Sequence, residues 1–96
     1  MRVLNIRVID GSNCPCGSWL VHWERSAGRA AYFCSERSCC VSSSLVGTHV
    51  QVAGTSDPAW YIVPLCAKHN ANGAALDISD GVKPVPAYVR ATCGKP

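Results

Sequence analysis

PLCAKHNANG, residues 64–73, decides how the rest of the chain is read. Cys66 and His69 are three residues apart, which places both side chains on one face of a helical turn if Pro64 and Leu65 lead into a helix. Two metal-ligating side chains at a helix start are half of a tetrahedral zinc site. The partial positive charge at that end of a helix also favours a thiolate at Cys66. Asn72 and Gly73 stop the helix. The stretch predicts a short helix that presents two ligands, and the other two must come from elsewhere.

The nearest source is CSERSCC, residues 34–40, a polar turn holding Cys34, Cys39 and Cys40. Cys34 pairs with Cys39 or with Cys40; the spacing does not choose between them. Between this turn and the helix, LVGTHVQV at 45–52 alternates, with Val46, Thr48, Val50 and Val52 on one face and Leu45, His49 and Gln51 on the other. AGTSDP then turns the chain into a second strand at 60–63, so a hairpin is expected. In the order turn, hairpin, helix, the turn and the helix start can each offer two ligands to one metal: Cys34, Cys39, Cys66 and His69.

The remaining ligand types form a second candidate set, Cys14, Cys16, His22 and Cys93. A metal there would tie the CPCGSW segment near the N-terminus to the C-terminal TCGK, closing a loop of nearly the whole chain. His22 has an alternative reading as a core histidine packed between Trp19 and Trp23.

Composition favours metal over disulfides. The chain has 96 residues with seven cysteines and three histidines; a domain this small often needs a staple. An odd cysteine count suits a disulfide framework badly. The opening MRVLNIRVIDG shows no apolar leader pattern, which predicts a cytoplasmic setting with reduced thiols. Net charge is +3, and the nine basic residues are scattered rather than gathered in a run, so no strong nucleic-acid footprint is present. No apolar stretch is long enough to cross a bilayer, and no small-molecule substrate is evident. The length predicts one domain, residues 1–96.

Outside the central stretch, Leu4, Ile6 and Val8 alternate with polar residues as in a half-buried strand. A helix is expected over 19–25, closed by SAGR, followed by a short strand at 30–33. Residues 75–79 and 82–89 read as extended, and Pro84 and Pro86 confine the latter to an edge or irregular strand.

Taken together, Cys34, Cys39, GTHV at 47–50, IVPLC at 62–66 and HN at 69–70 resemble the HNH nucleases, the ββα-metal type built on a zinc-bearing treble clef. The resemblance spans residues 34–73 and leaves both ends outside it. It implies an α+β fold: a small zinc-stabilised, treble-clef-like domain with a β-hairpin, one or two short helices and extra strands at both ends. It also implies that His49 is a general base, and that Thr48 and Asn70 occupy the positions that hold a catalytic Mg2+ or Mn2+. The chain departs from the family pattern at two points. Thr48 supplies no carboxylate, which hard cations prefer, and Tyr61 and Ile62 stand where an asparagine usually orients the base. Asp57, in the hairpin turn, is a substitute carboxylate or simply a turn residue. His49 is therefore read as a base, as a zinc ligand or as a strand-face histidine.

The expected function is a small module with structural zinc that binds nucleic acid or a protein partner. The alternatives are a metal-dependent HNH-type endonuclease with His49 as base, and a small inhibitor or accessory protein of a mobile element.

Overall fold

In the computed structural model, residues 1–6, 18–54, 56, 59–71 and 75–87 are described. Five strands and two helices follow in the order β1 (Arg2–Asn5), α1 (Trp19–Ala27), β2 (Val46–Val52), β3 (Tyr61–Leu65), α2 (Ala67–Ala71), β4 (Ala75–Asp77) and β5 (Val85–Pro86). The strands form one antiparallel sheet in the order β4-β1-β2-β3-β5. The hairpin of β2 and β3 is its centre, and the strands from both ends of the chain flank it. Helices and antiparallel sheet together make an α+β fold, as expected.

Alternation along β2 and β3 gives the sheet two apolar faces. On one, Val3, Val50, Val63, Leu65, Leu76 and Ile78 are buried together with Cys34 and Cys66. On the other, Ile62 and Val85 meet Trp23 of α1. Helix α1 is set at both ends by local chemistry. The Ser18 hydroxyl accepts from the Val21 N–H at 3.1 Å, and Gly28 closes the helix at φ 76°, its N–H donating to the Glu24 carbonyl. Trp23 Nε1 donates to the Lys83 carbonyl at 2.8 Å, which ties α1 to the segment leading into β5. That helix runs two residues past the expected 19–25.

Four expectations need correction. The expected inward phase of the first strand was Leu4, Ile6 and Val8; instead Val3 and Asn5 are buried while Leu4 is 42% exposed. Val3 sits between Val52 and Leu76 in the sheet, and Asn5 tolerates burial because its Nδ2 donates to the Asn70 carbonyl at 2.7 Å. Val8 lies outside the described residues. Residues 30–33 form no strand: they leave Gly28 as an irregular segment, held by the Ala31 N–H donating to Glu24 Oε2 at 2.8 Å. Third, β3 extends through Pro64 and Leu65. Proline is accommodated there because the outer ladder to β5 involves only Tyr61 and Ile62. The helix expected from Pro64 or Leu65 consequently begins only after Cys66. Finally, the strand expected over 82–89 is reduced among the described residues to Val85–Pro86, at the sheet edge where its prolines belong.

Candidate metal centre

Residues 34–41 form a closed loop. The Cys34 N–H donates to the Val41 carbonyl at 2.8 Å, and the Cys39 N–H donates to the Glu36 carbonyl at 3.0 Å. The Glu36 carboxylate accepts from both the backbone N–H and the hydroxyl of Ser38, which completes the turn. Those hydrogen bonds, the hydroxyl's first, hold the Glu36 carboxyl below its ordinary range. The loop is anchored to the sheet by the Ser35 N–H donating to the Pro64 carbonyl at 2.8 Å and by a β-bridge between Glu36 and Ile78.

Opposite this loop, β3 delivers Cys66 to the start of α2, where its carbonyl accepts from the Asn70 N–H at 2.8 Å. This bond closes the first helical turn and brings His69 onto the face of Cys66. Four ligand atoms converge as a result: those of Cys34, Cys39, Cys66 and His69 all lie within 4.8 Å of one another. Within the group, His69 Nδ1 is 3.3 Å from the Cys66 sulfur and 3.4 Å from the Cys34 sulfur, and the Cys39 and Cys66 sulfurs are 4.0 Å apart. Cys39, not Cys40, contributes its sulfur; Cys40 is exposed. All four described cysteines are unbridged. Three thiols and an imidazole in this arrangement can hold a metal ion.

The thiols are not equivalent. Burial pushes Cys34 up to about 11, against lowering hydrogen bonds from the Cys66 and Glu36 backbones. Burial also acts on Cys66, but hydrogen bonds from the His69 backbone and side chain, joined by those of Cys34 and Cys39, outweigh it and bring this thiol down to about 7. Of these two thiols, Cys66, at the helix start, is therefore the one where thiolate forms first.

The residues matched to a catalytic set are not brought together. Thr48 is buried, and its hydroxyl donates to Asn70 Oδ1 at 2.8 Å on the α2 side of the sheet. His49, the next residue along β2, points to the opposite face, where it pairs in register with Ile62. There its ring lies edge-on to Trp19 at 4.7 Å and to Trp60 at 5.9 Å. Asn70 and His49 thus face different sides of one sheet. His22 shares the α1 side: it is wholly buried, 5.0 Å from the Trp19 ring, and its Nε2 donates to the Pro86 carbonyl at 2.8 Å. Cys14, Cys16 and Cys93 lie outside the described residues, as does Asp57.

Sequence reasoning missed Asn5. Its side-chain amide holds the Asn70 carbonyl at 2.7 Å and so fixes α2 against β1. The only signal was a polar residue at a strand position, which alone reads as solvent-facing.

Comparisons with protein-family models, with curated proteins and with solved structures find no match to this chain. No helix among the described residues is long and apolar enough to cross a membrane.

Proposed function

We propose that the chain is a zinc-binding module of treble-clef-like, HNH-related design, in which the zinc is structural and the activity is binding of a macromolecular partner. The observation that carries this reading is the convergence of Cys34, Cys39, Cys66 and His69 from a closed loop and a helix start. A tetrahedron with metal–sulfur distances of about 2.3 Å and a metal–nitrogen distance of about 2.0 Å has edges of roughly 3.5 to 3.8 Å. The separations of 3.3, 3.4 and 4.0 Å bracket those edges. A mainly thiolate donor set selects zinc over magnesium or calcium. Four protein ligands leave no open position for water, so such a zinc stabilises and does not catalyse.

Binding is favoured over cleavage because His49 is packed between Trp19 and Trp60 on the face away from Asn70, and because Asn70 Oδ1 is engaged by the Thr48 hydroxyl. A nuclease needs base and metal ligand directed at one phosphate. A second zinc would draw on His22 through Nδ1, since the Pro86 carbonyl can only accept and so places the proton on Nε2.

Elemental mass spectrometry on protein purified without added metal, with thiol titration on the same sample, tests the reading. One zinc per chain, with the thiols of the first group reactive only after chelation, is expected; two zincs would add the second set. Protein without zinc, or magnesium-dependent DNA cleavage abolished by His49→Ala, would replace this reading with another.

The inequivalent thiols add a pH prediction. Zinc displaces thiol protons, so affinity rises with pH. Below about 7 the Cys66 thiol must also give up a proton, whereas above it that proton is already gone. Cys34, held up at about 11, releases its proton on both sides of that point. The plot of log affinity against pH should therefore be steeper by at least one proton below about 7. Competition titrations against a chelator, corrected for the chelator's own protonation, measure this; a constant slope would contradict it.

A further inference from the structure

Beside the metal centre, the irregular segment after α1 and the loop carrying Cys39 and Cys40 border a groove of about 430 Å³. Its wall includes Trp23, Ala31 and Val82, and Pro64 also lines it. Tyr32 and Phe33, at its border, are 66% and 60% exposed, the two most exposed large apolar side chains among the described residues. Adjacent aromatics left in solvent beside an apolar groove are costly unless something covers them.

Charge restricts what covers them. Among the described residues, Arg29 is the only charged one lining the groove. Among the described residues no carboxylate pairs with it, since the two ion pairs present are Arg2 with Asp77 and Arg37 with Asp80. The chain as a whole carries a net charge of +3. Ser35, also lining the groove, has a buried hydroxyl without a hydrogen-bond partner, a defect that an arriving acceptor could relieve.

We infer that this groove receives a segment of a partner protein that carries an aromatic anchor flanked by carboxylates. The anchor fills the apolar space against Trp23 and Phe33, and a carboxylate meets Arg29. A polypeptide fits better than a nucleic acid because one arginine does not make the continuous basic track that a phosphate backbone requires. It also fits better than a small metabolite because Tyr32 and Phe33, which line the groove, are still mostly exposed and offer apolar surface beyond what a small molecule would cover. The inference rests on the proposed binding role and names its partner class. Cys34 and Cys39 line the groove and also belong to the candidate metal group, so loss of that group would disturb the groove as well.

The test is a nuclear magnetic resonance titration of zinc-loaded, isotope-labelled protein with a capped tripeptide of glutamate, tryptophan and aspartate. Controls are the same peptide with lysines for the acids, the same peptide with alanine for tryptophan, and a short oligothymidylate. Shifts confined to residues around Arg29, Phe33 and Val82 are expected with the acidic tryptophan peptide. Affinity should fall about fivefold or more with the lysine peptide and, for the acidic peptide, in Arg29→Glu. Phe33→Ser should weaken binding further while leaving zinc content unchanged, since both side chains are exposed and outside the ligand set. Equal shifts from all peptides, shifts elsewhere, or tighter binding of the oligothymidylate would overturn the inference. Zinc content of each sample separates such a failure from failure of the metal reading, which appears as protein that does not retain zinc.

Discussion

With zinc held by the group of four as proposed, replacing Cys66 by alanine is expected to cost the chain that metal and most of its ordered structure at room temperature. The sulfur sits at the middle of the ligand group, 3.3 Å from His69 Nδ1 and 4.0 Å from the Cys39 sulfur, on a residue only 4% exposed. A structural zinc contributes about 10 to 16 kcal/mol of apparent binding energy in small domains. Whole domains are stable by only about 5 to 15 kcal/mol. Forfeiting even half of the metal's contribution would bring a chain of this size close to its unfolding point. The loss would not be confined to the loop. Cys34 and Cys66 belong to the same apolar cluster as Val3, Val50, Leu65 and Ile78, so the ligand group and the core of that face are one structure. The contrasting substitution is Cys40→Ala, whose exposed sulfur lies outside the ligand group. It should keep its zinc and its stability to within about 0.5 kcal/mol. Zinc per chain, far-ultraviolet circular dichroism and a urea transition on both variants decide the matter. A Cys66→Ala protein that keeps stoichiometric zinc and an unchanged midpoint would remove the metal from the account of this fold.

The ligand group was legible because it follows from local rules. Cys34 with Cys39 and Cys66 with His69 are each close in sequence, and a turn or a helix start orients each pair without help from the rest of the chain. The β2–β3 hairpin was legible for the same reason, since alternation and a turn-rich linker are short-range signals. What could not be read depends on distant partners. Asn5 is buried because two carbonyls of α2 reach its amide, the nearer at 2.7 Å and the other, from His69, at 3.5 Å, and nothing near it in sequence announces this. The phase of β1 was misjudged as a consequence. Residues 30–33 have strand-like composition, yet among the described residues no strand pairs with Tyr32 and Phe33, which stay in solvent. The choice between roles for His49 was equally non-local. It turns on Trp19, which arrives on a helix thirty residues earlier in the chain and occupies the face to which the histidine points.

That arrival depends on a glycine, and Gly47→Ala should be the most damaging single-methyl change in the described core. Gly47 has no left-handed backbone conformation to explain it; among the described residues the glycines with positive φ are Gly28 and Gly54. Its requirement is space. A Cβ at position 47 would lie 2.4 Å from the carbonyl carbon of Trp19, 2.5 Å from the Leu20 nitrogen and 2.7 Å from the Trp19 oxygen. All three are backbone atoms at the start of α1, so no side-chain rotation relieves the overlap; the helix must lift from β2. Overpacking of a rigid contact costs typically 1 to 3 kcal/mol and more when backbone must move. Alanine's smaller unfolded-state entropy returns only about 0.4 to 1 kcal/mol. A net loss of about 2 kcal/mol or more is therefore expected, read as a lower urea midpoint with zinc still bound, because the ligand group lies on the other face of the sheet. Tryptophan fluorescence should shift as well, since lifting α1 draws the Trp19 ring away from its 4.7 Å contact with His49. Gly54→Ala provides the contrast. At φ 79° with nothing within 4 Å of a new Cβ, it meets conformational strain but no collision, which costs about 1 kcal/mol. If Gly47→Ala proved no more harmful than Gly54→Ala, α1 would not rest on β2 through this contact, and the sandwiching of His49 between Trp19 and Trp60 would need another cause.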